Sequence, residues 1–311
     1  MPDLFHRAGR KASPRQPAKV GRRASELKKS SARSTSVKHK ASRQPSFRVP
    51  PPEARIYEHE GKPDIPIWKE ALFGAELLLL HASPVFYGLG VPRGDNSAVI
   101  VIPGFLGTDL YVSQLHSWLV RIGYRSYLSG IGVNAECPNL LIKFRLAATI
   151  KKAVEETGRR VHLIGHSLGG IIARSLASQQ PRDIASVITL AAPIRGTVMH
   201  PSILRAAKAV RDQILDNHGT GVLPDCYTPR CTCNFLSSLR CTLPASVAET
   251  AIYTKDDGVV DWRYCKTGDS DIDFEVPGTH VGLVFNPSVF TIIAERLAQF
   301  SSRTWARGLD R

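Results

Sequence analysis

Ser167 stands at the centre of Gly165-His166-Ser167-Leu168-Gly169, with the apolar run Val161-His162-Leu163-Ile164 before it and Ile171-Ile172-Ala173-Arg174 after it. A serine flanked by glycines, between a strand-like and a helix-like segment, suits a sharp strand-to-helix turn. Glycine lets neighbouring backbone approach without Cβ clashes and leaves the hydroxyl accessible. A serine hydroxyl is a weak nucleophile at its own pKa, so it needs a base to take its proton. The chemistry implied is acyl transfer through a covalent intermediate. It requires a base, a carboxylate to fix the base's tautomer, and donors for the oxyanion that develops.

Both partners lie downstream, in the order serine, acid, histidine. Ala251-Ile252-Tyr253-Thr254 reads as a short strand, and Lys255-Asp256-Asp257-Gly258 as the polar turn leaving it. Asp257 is the expected acid and Asp256 the alternative; Asp261 reads as a capping or supporting carboxylate. Ile272-Asp273-Phe274-Glu275-Val276 alternates like an edge strand and opens into Pro277-Gly278-Thr279-His280, which makes His280 the expected base. The strand-like run Ala98 to Ile102 leads into Pro103-Gly104-Phe105-Leu106-Gly107, where the Phe105 N–H could act with the Leu168 N–H as an oxyanion hole. Losing one such donor typically costs about 3–4 kcal/mol of transition-state stabilisation. His166 is expected to shape the pocket or pack, and His116, His162, His200 and His218 to be structural or solvated.

These residues must be positioned by alternating strands and helices, with the reactive loops at the carboxyl edge of a parallel sheet. Leu115, Trp118, Leu119 and Ile122 recur at helical spacing before Gly123. Leu140, Phe144, Ala147, Ile150 and Val154 do so over about residues 139–157, and Val289, Ile292, Ile293 and Leu297 over about 287–300. The most lipophilic stretch, Ala71 to Leu80, is too short to span a bilayer, which takes about 20 apolar residues. It reads as a packed helix near the start of the folded part, with membrane-surface association the alternative.

At four segments the sequence resembles the α/β-hydrolase superfamily, and within it the bacterial lipase/esterase-like serine hydrolases. These are Val101-Ile102-Pro103-Gly104-Phe105-Leu106-Gly107, Gly165-His166-Ser167-Leu168-Gly169-Gly170, Thr189 to Thr197 with Ala192-Pro193-Ile194-Arg195-Gly196-Thr197 at its end, and Asp257-Gly258-Val259-Val260 with Gly278-Thr279-His280-Val281-Gly282-Leu283. The resemblance spans roughly residues 66–302. It implies a mostly parallel central sheet flanked by helices, and a carboxylic-ester hydrolase with Ser167, Asp257 and His280 as its triad and no cofactor or metal. The lipase-like pattern places the acid immediately before Gly258, which favours Asp257. Pro103 occupies a place that many lipases give to histidine.

Charge divides the chain unequally. Residues 1–55 hold 15 Lys and Arg against 3 Asp and Glu, whereas the other 256 residues are nearly balanced. Such a basic, serine-rich segment has too few apolar residues to offset ordering entropy and reads as a disordered tail. It is a solvated extension, a transit peptide, or a tether to anionic membrane or nucleic acid. Without an apolar core it does not read as a secretory signal, and a cytoplasmic location is favoured. Residues 56–311 are expected to form the hydrolase domain, with 197–247 as a cap- or lid-like insertion because they break the strand-helix rhythm before the acid turn.

One helix of that insertion carries Ile203, Leu204, Ala207, Val210 and Ile214 as an apolar stripe. Four cysteines, Cys226, Cys231, Cys233 and Cys241, fall in the same insertion, with Cys137 and Cys265 elsewhere. Their spacing matches no usual zinc pattern, so disulfides in an exported protein or free thiols otherwise are the readings. The leading expectation is a serine esterase or lipase acting on a small-molecule or lipid ester. The alternatives are an acyltransferase using the same acyl-enzyme, or a binding protein on the same fold.

Overall fold

A computed structural model describes residues 65–308, with side chains to residue 300, so the expected basic tail lies outside the described residues. The strands β1 (Ala98–Ile102), β2 (Arg125–Leu128), β3 (Val161–His166), β4 (Ile184–Leu190), β5 (Ala248–Tyr253) and β6 (Asp273–Glu275) form one sheet in the order β2-β1-β3-β4-β5-β6. Every neighbouring pair in it is parallel. β1, β3 and β4 are buried along their whole length, as their near-continuous apolar sequences require of a sheet covered on both faces. The chain adds β2 on one side of β1 and then β3 on the other. The connections leaving the carboxyl ends of β1 and β3 therefore run to opposite sides, which opens the crevice where ligands of such sheets sit.

Helices α1 (Phe73–Ala82), α2 (Ser113–Arg121) and α8 (Pro287–Gly308) bury Leu80, Trp118 and Phe290 against Val99, Val101, Ile164 and Leu190. The other face packs on α4 (Ala147–Thr157) and α5 (Leu168–Gln179), where Ile150, Ile172 and Leu176 meet Ile100, Ile102 and Leu163. The alternation along each strand is what divides the core into these two layers.

Two expectations need correction. The helix expected over 139–157 is α3 (Pro138–Leu141), a π-helical turn at Ile142–Leu146, and then α4. The wider turn shifts the register of the stripe. Leu141, Ile142 and Leu146 are buried, and Phe144, expected in the core, is exposed. The second concerns the N-terminal apolar stretch. A 3-10 turn at Ile67–Leu72 runs into α1, and Leu80 is the buried residue of α1. Leu72, Phe73, Leu78 and Leu79 face outward, while Glu70 and Glu76 turn inward to the loop that carries Thr279 and His280. Among the described residues no helix is long and apolar enough to cross a membrane.

Between β4 and β5 lie α6 (Pro201–His218) and α7 (Asn234–Leu239). The stripe on α6 divides. Val210 and Ile214 pack with Cys137 and Cys226, while Ile203, Leu204 and Ala207 line a cavity beneath. Arg174 on α5 ties this insertion to the sheet through Glu249 at 2.6 Å and the carbonyls of Leu239 and Cys241. All six cysteines are free thiols.

Candidate active site

Ser167 joins β3 to α5 with φ 51° and ψ −122°, a left-handed conformation that few residues other than glycine adopt. Tight packing holds it there. A Cβ on Gly165 would run into the Gly169 backbone, and one on Gly169 into the carbonyls of Ile102 and Pro103. Alternative side chains are thus sterically excluded on both sides of the serine. The Ser167 N–H donates to Leu190 O at 2.8 Å, which fixes the turn against β4.

His280 lines the same cavity as Ser167; its Nδ1–H donates to Asp257 Oδ2 at 2.7 Å, and both side chains of this pair are buried. A carboxylate only accepts, so the bond assigns the proton to Nδ1 and leaves Nε2 as the basic nitrogen. Asp257 Oδ1 in turn accepts from the Val259 and Val260 N–H groups at 2.9 and 2.8 Å. Burial disfavours the His280 imidazolium. The Asp257 charge and hydrogen bond, with Glu70 behind them, outweigh it and hold the pKa above the ordinary histidine value. Asp256 instead points outward to Lys69 at 2.6 Å. Asp261 caps the turn at Trp262–Tyr264 and pairs with Arg263.

Gly104, Phe105, Ser167, Leu168 and His280 line one cavity of about 1110 Å³. The 103–107 loop reaches it because Asn134 braces the loop. Asn134 Nδ2 donates to Pro103 O at 2.8 Å, Leu106 N–H donates to Asn134 O, and Asn134 N–H donates to Gly107 O. A Cβ on Gly104 would lie 2.8 Å from His166 Nδ1 and 3.1 Å from Ser167 Cβ, so only glycine permits this approach. The Phe105 and Leu168 N–H groups donate to no acceptor among the described residues.

His166 does more than pack. Its Nε2–H donates to the His280 carbonyl at 2.9 Å, and the two rings meet edge to face at 4.9 Å. Burial first, then the His280 charge, lowers its pKa to about 3, so His166 stays neutral when its neighbour protonates.

Two further carboxylates were not legible in the sequence. Glu70 Oε1 accepts from Gly258 N–H at 2.8 Å and His280 N–H at 3.1 Å, and Oε2 from Val281 N–H at 2.7 Å. One side chain thereby clasps the acid loop to the base loop. Glu76 accepts from Thr279 N–H at 2.8 Å and Thr279 Oγ1–H at 2.6 Å, and burial raises its pKa. A Cβ on Gly258 would sit 2.7 Å from Glu70 Oε1, and one on Gly282 would overlap Glu76. The glycines around the acid and the base are sockets for these carboxylates. Tyr111 completes the scaffold by donating to Val281 O at 2.6 Å.

The parallel sheet and the serine turn at the carboxyl end of β3 define the class: this is an α/β-hydrolase fold. Within that class the chain is lipase/esterase-like in sequence. A model of the PGAP1-like alpha/beta domain matches residues 138–219. A triacylglycerol lipase of Burkholderia plantarii is 31% identical over 137 residues, covering 40% of this chain and 37% of the lipase. A second, from Pseudarthrobacter phenanthrenivorans, is 33% identical over 110 residues, covering 32% of this chain and 34% of that one. The matched stretch thus spans about a third of the length of these relatives. Among solved structures, a metagenome-derived lipolytic enzyme aligns at 18% identity and a TM-score of 0.46, covering 68% of this chain and 96% of its own.

Proposed function

We propose that the protein is a carboxylic-ester hydrolase working through an acyl-enzyme on Ser167. The observation that carries this reading is the buried His280–Asp257 pair opening onto the same cavity as a serine held at positive φ. Ser167 Oγ attacks the ester carbonyl as His280 Nε2 takes its proton. The negative oxygen that results is held by the Phe105 and Leu168 N–H groups. His280 returns the proton to the departing alcohol. A water molecule, deprotonated by the same nitrogen, then attacks the acyl carbon, and the carboxylic acid is released as Ser167 regains its proton. Asp257 keeps the imidazole in the required tautomer and stabilises the imidazolium.

The walls support an apolar ester as the substrate class. Ile171, Ile194, Ile203, Leu204 and Val260 make an apolar lining suited to an acyl chain. The triacylglycerol lipases among the relatives point the same way, toward a lipid or other apolar ester. Residues 197–247 serve as the cap of the hydrolase domain, since α6 supplies one wall of the cavity. No step calls for a cofactor.

Hydrolysis of p-nitrophenyl esters of graded acyl length by wild type and Ser167→Ala tests this reading. The variant is expected to lose about 10⁶ in kcat, leaving only what binding and the oxyanion donors provide. Turnover that persists in Ser167→Ala removes the serine mechanism.

A further inference from the structure

The N-terminal helical segment is inverted. A surface helix normally turns leucines to the core and carboxylates to water. Here Glu70 and Glu76 are turned into the protein, and Trp68, Leu72, Phe73, Leu78 and Leu79 face out, Leu78 at 72% and Trp68 at 69% exposure. Residues 71–75, Ala-Leu-Phe-Gly-Ala, are exposed without interruption. An apolar face of this length on a water-soluble surface marks a place where something docks.

Charge says what kind of partner. Within the first 55 residues there are 15 Lys and Arg against 3 Asp and Glu, and Arg55 precedes Trp68 by only 13 residues. A polybasic segment shortly before, in sequence, an exposed tryptophan, phenylalanine and leucine face combines the two attractions that hold peripheral proteins on membranes. One is Coulombic, toward anionic headgroups; the other is burial of apolar side chains at the acyl boundary. A protein partner for the leucines would leave the cationic run unexplained, and a nucleic acid would leave the leucines unexplained.

We propose that residues 67–82 are a docking face for an anionic lipid bilayer, seated by Trp68, Leu72, Phe73, Leu78 and Leu79 and drawn there by the basic N-terminal segment. The inner side of the same helix binds the acid and base loops, so docking would present the hydrolase site at the lipid surface. None of the five side chains lines the catalytic cavity. The proposal therefore stands independently of the reaction assigned to Ser167.

The test is flotation of the full chain with phosphatidylcholine vesicles containing phosphatidylglycerol, against phosphatidylcholine alone, at low and high salt. The wild type is expected to float with the anionic vesicles, to be released by salt, and to show a blue shift in tryptophan emission that Trp68→Phe abolishes. The triple variant Leu72→Gln/Leu78→Gln/Leu79→Gln is expected to bind roughly tenfold more weakly or less, with its thermal melt unchanged because these positions are exposed. Leu78→Gln alone repeats the comparison should the triple variant fail to fold. Wild-type protein that stays in the buffer, or leucine variants that float as well as wild type, overturns the proposal. So does a wild-type dimer that the leucine substitutions dissociate while neither form binds vesicles, an outcome that assigns the face to a second copy of the chain.

Discussion

The proposed nucleophile and the proposed proton-transfer pair are built in opposite ways. Ser167 is set by a short motif: Gly165, Gly169 and the first turn of α5 lie within five residues of it, and the Leu190 carbonyl and the Ile102–Pro103 backbone then close on that turn. Asp257 and His280 are 23 residues apart, and what joins their loops is a carboxylate 188 to 211 residues away in sequence. The first half of the site is a motif and the second is a tertiary assembly. The two should therefore respond differently to substitution, since the turn tolerates almost no change of shape whereas the loops depend on charge and hydrogen-bond sense.

The largest effect on the assembled half should come from Asp257→Asn. The amide would present a donor to His280 Nδ1 or force the other tautomer, and kcat is expected to fall about 10⁴-fold with little change in KM. A fall of only a few fold would mean that another carboxylate, with Asp256 the nearest in sequence, can take over.

Glu70→Gln comes next. Both oxygens of Glu70 accept only from backbone N–H groups, so an amide nitrogen must face at least one donor. We expect roughly a 10- to 100-fold loss in kcat/KM, in keeping with about 1–3 kcal/mol for an unsatisfied donor. A second readout separates positioning from mere stability. The wild-type kcat/KM should fall as pH drops through the raised pKa of His280, because the base must be neutral to accept a proton. Glu70 is one of the charges raising that pKa, so its removal should move the acid limb to lower pH. An unshifted profile would reduce Glu70 to a structural tie.

Glu76→Gln should do least. One of its partners is the Thr279 hydroxyl, which can rotate to accept from an amide, and burial already favours a neutral group there. Activity is expected to stay within about threefold and stability within about 1 kcal/mol. An effect equal to that of Glu70→Gln would erase the distinction between the two carboxylates.

This contrast also explains what could be read from the sequence. The serine turn, the strands flanking it and the alternation of β and α elements depend on local spacing; Ser167 and His280 stand out because each follows a strand, whereas Asp257 is preferred to Asp256 only through the lipase-like pattern before Gly258. Phe144 was misplaced because a π turn adds a residue per turn that periodicity arguments do not include. Glu76 lies in, and Glu70 immediately before, a run that reads as an ordinary apolar helix, and nothing local to a glutamate announces that its acceptors serve amides some two hundred residues on. Asn134, which braces the 103–107 loop, was hidden for the same reason. The glycines at 258, 278 and 282 were the available signal: they crowd the acid and base loops, and each is a place that a carboxylate approaches.

The Glu70 clasp also bears on how the molecule is made. Glu70 is synthesised about two hundred residues before its amide donors at 280 and 281. Loop-closure entropy grows only as the logarithm of length, so the final bond is not made weak by that distance. Contacts so remote in sequence are nevertheless late to form, because the intervening chain must first be ordered. Until then a leucine-rich helix waits with neither face satisfied, the kind of transient exposure that invites capture by chaperones or by other copies of the chain. The proposed site is thus completed by an earlier-made segment closing on loops made about two hundred residues later.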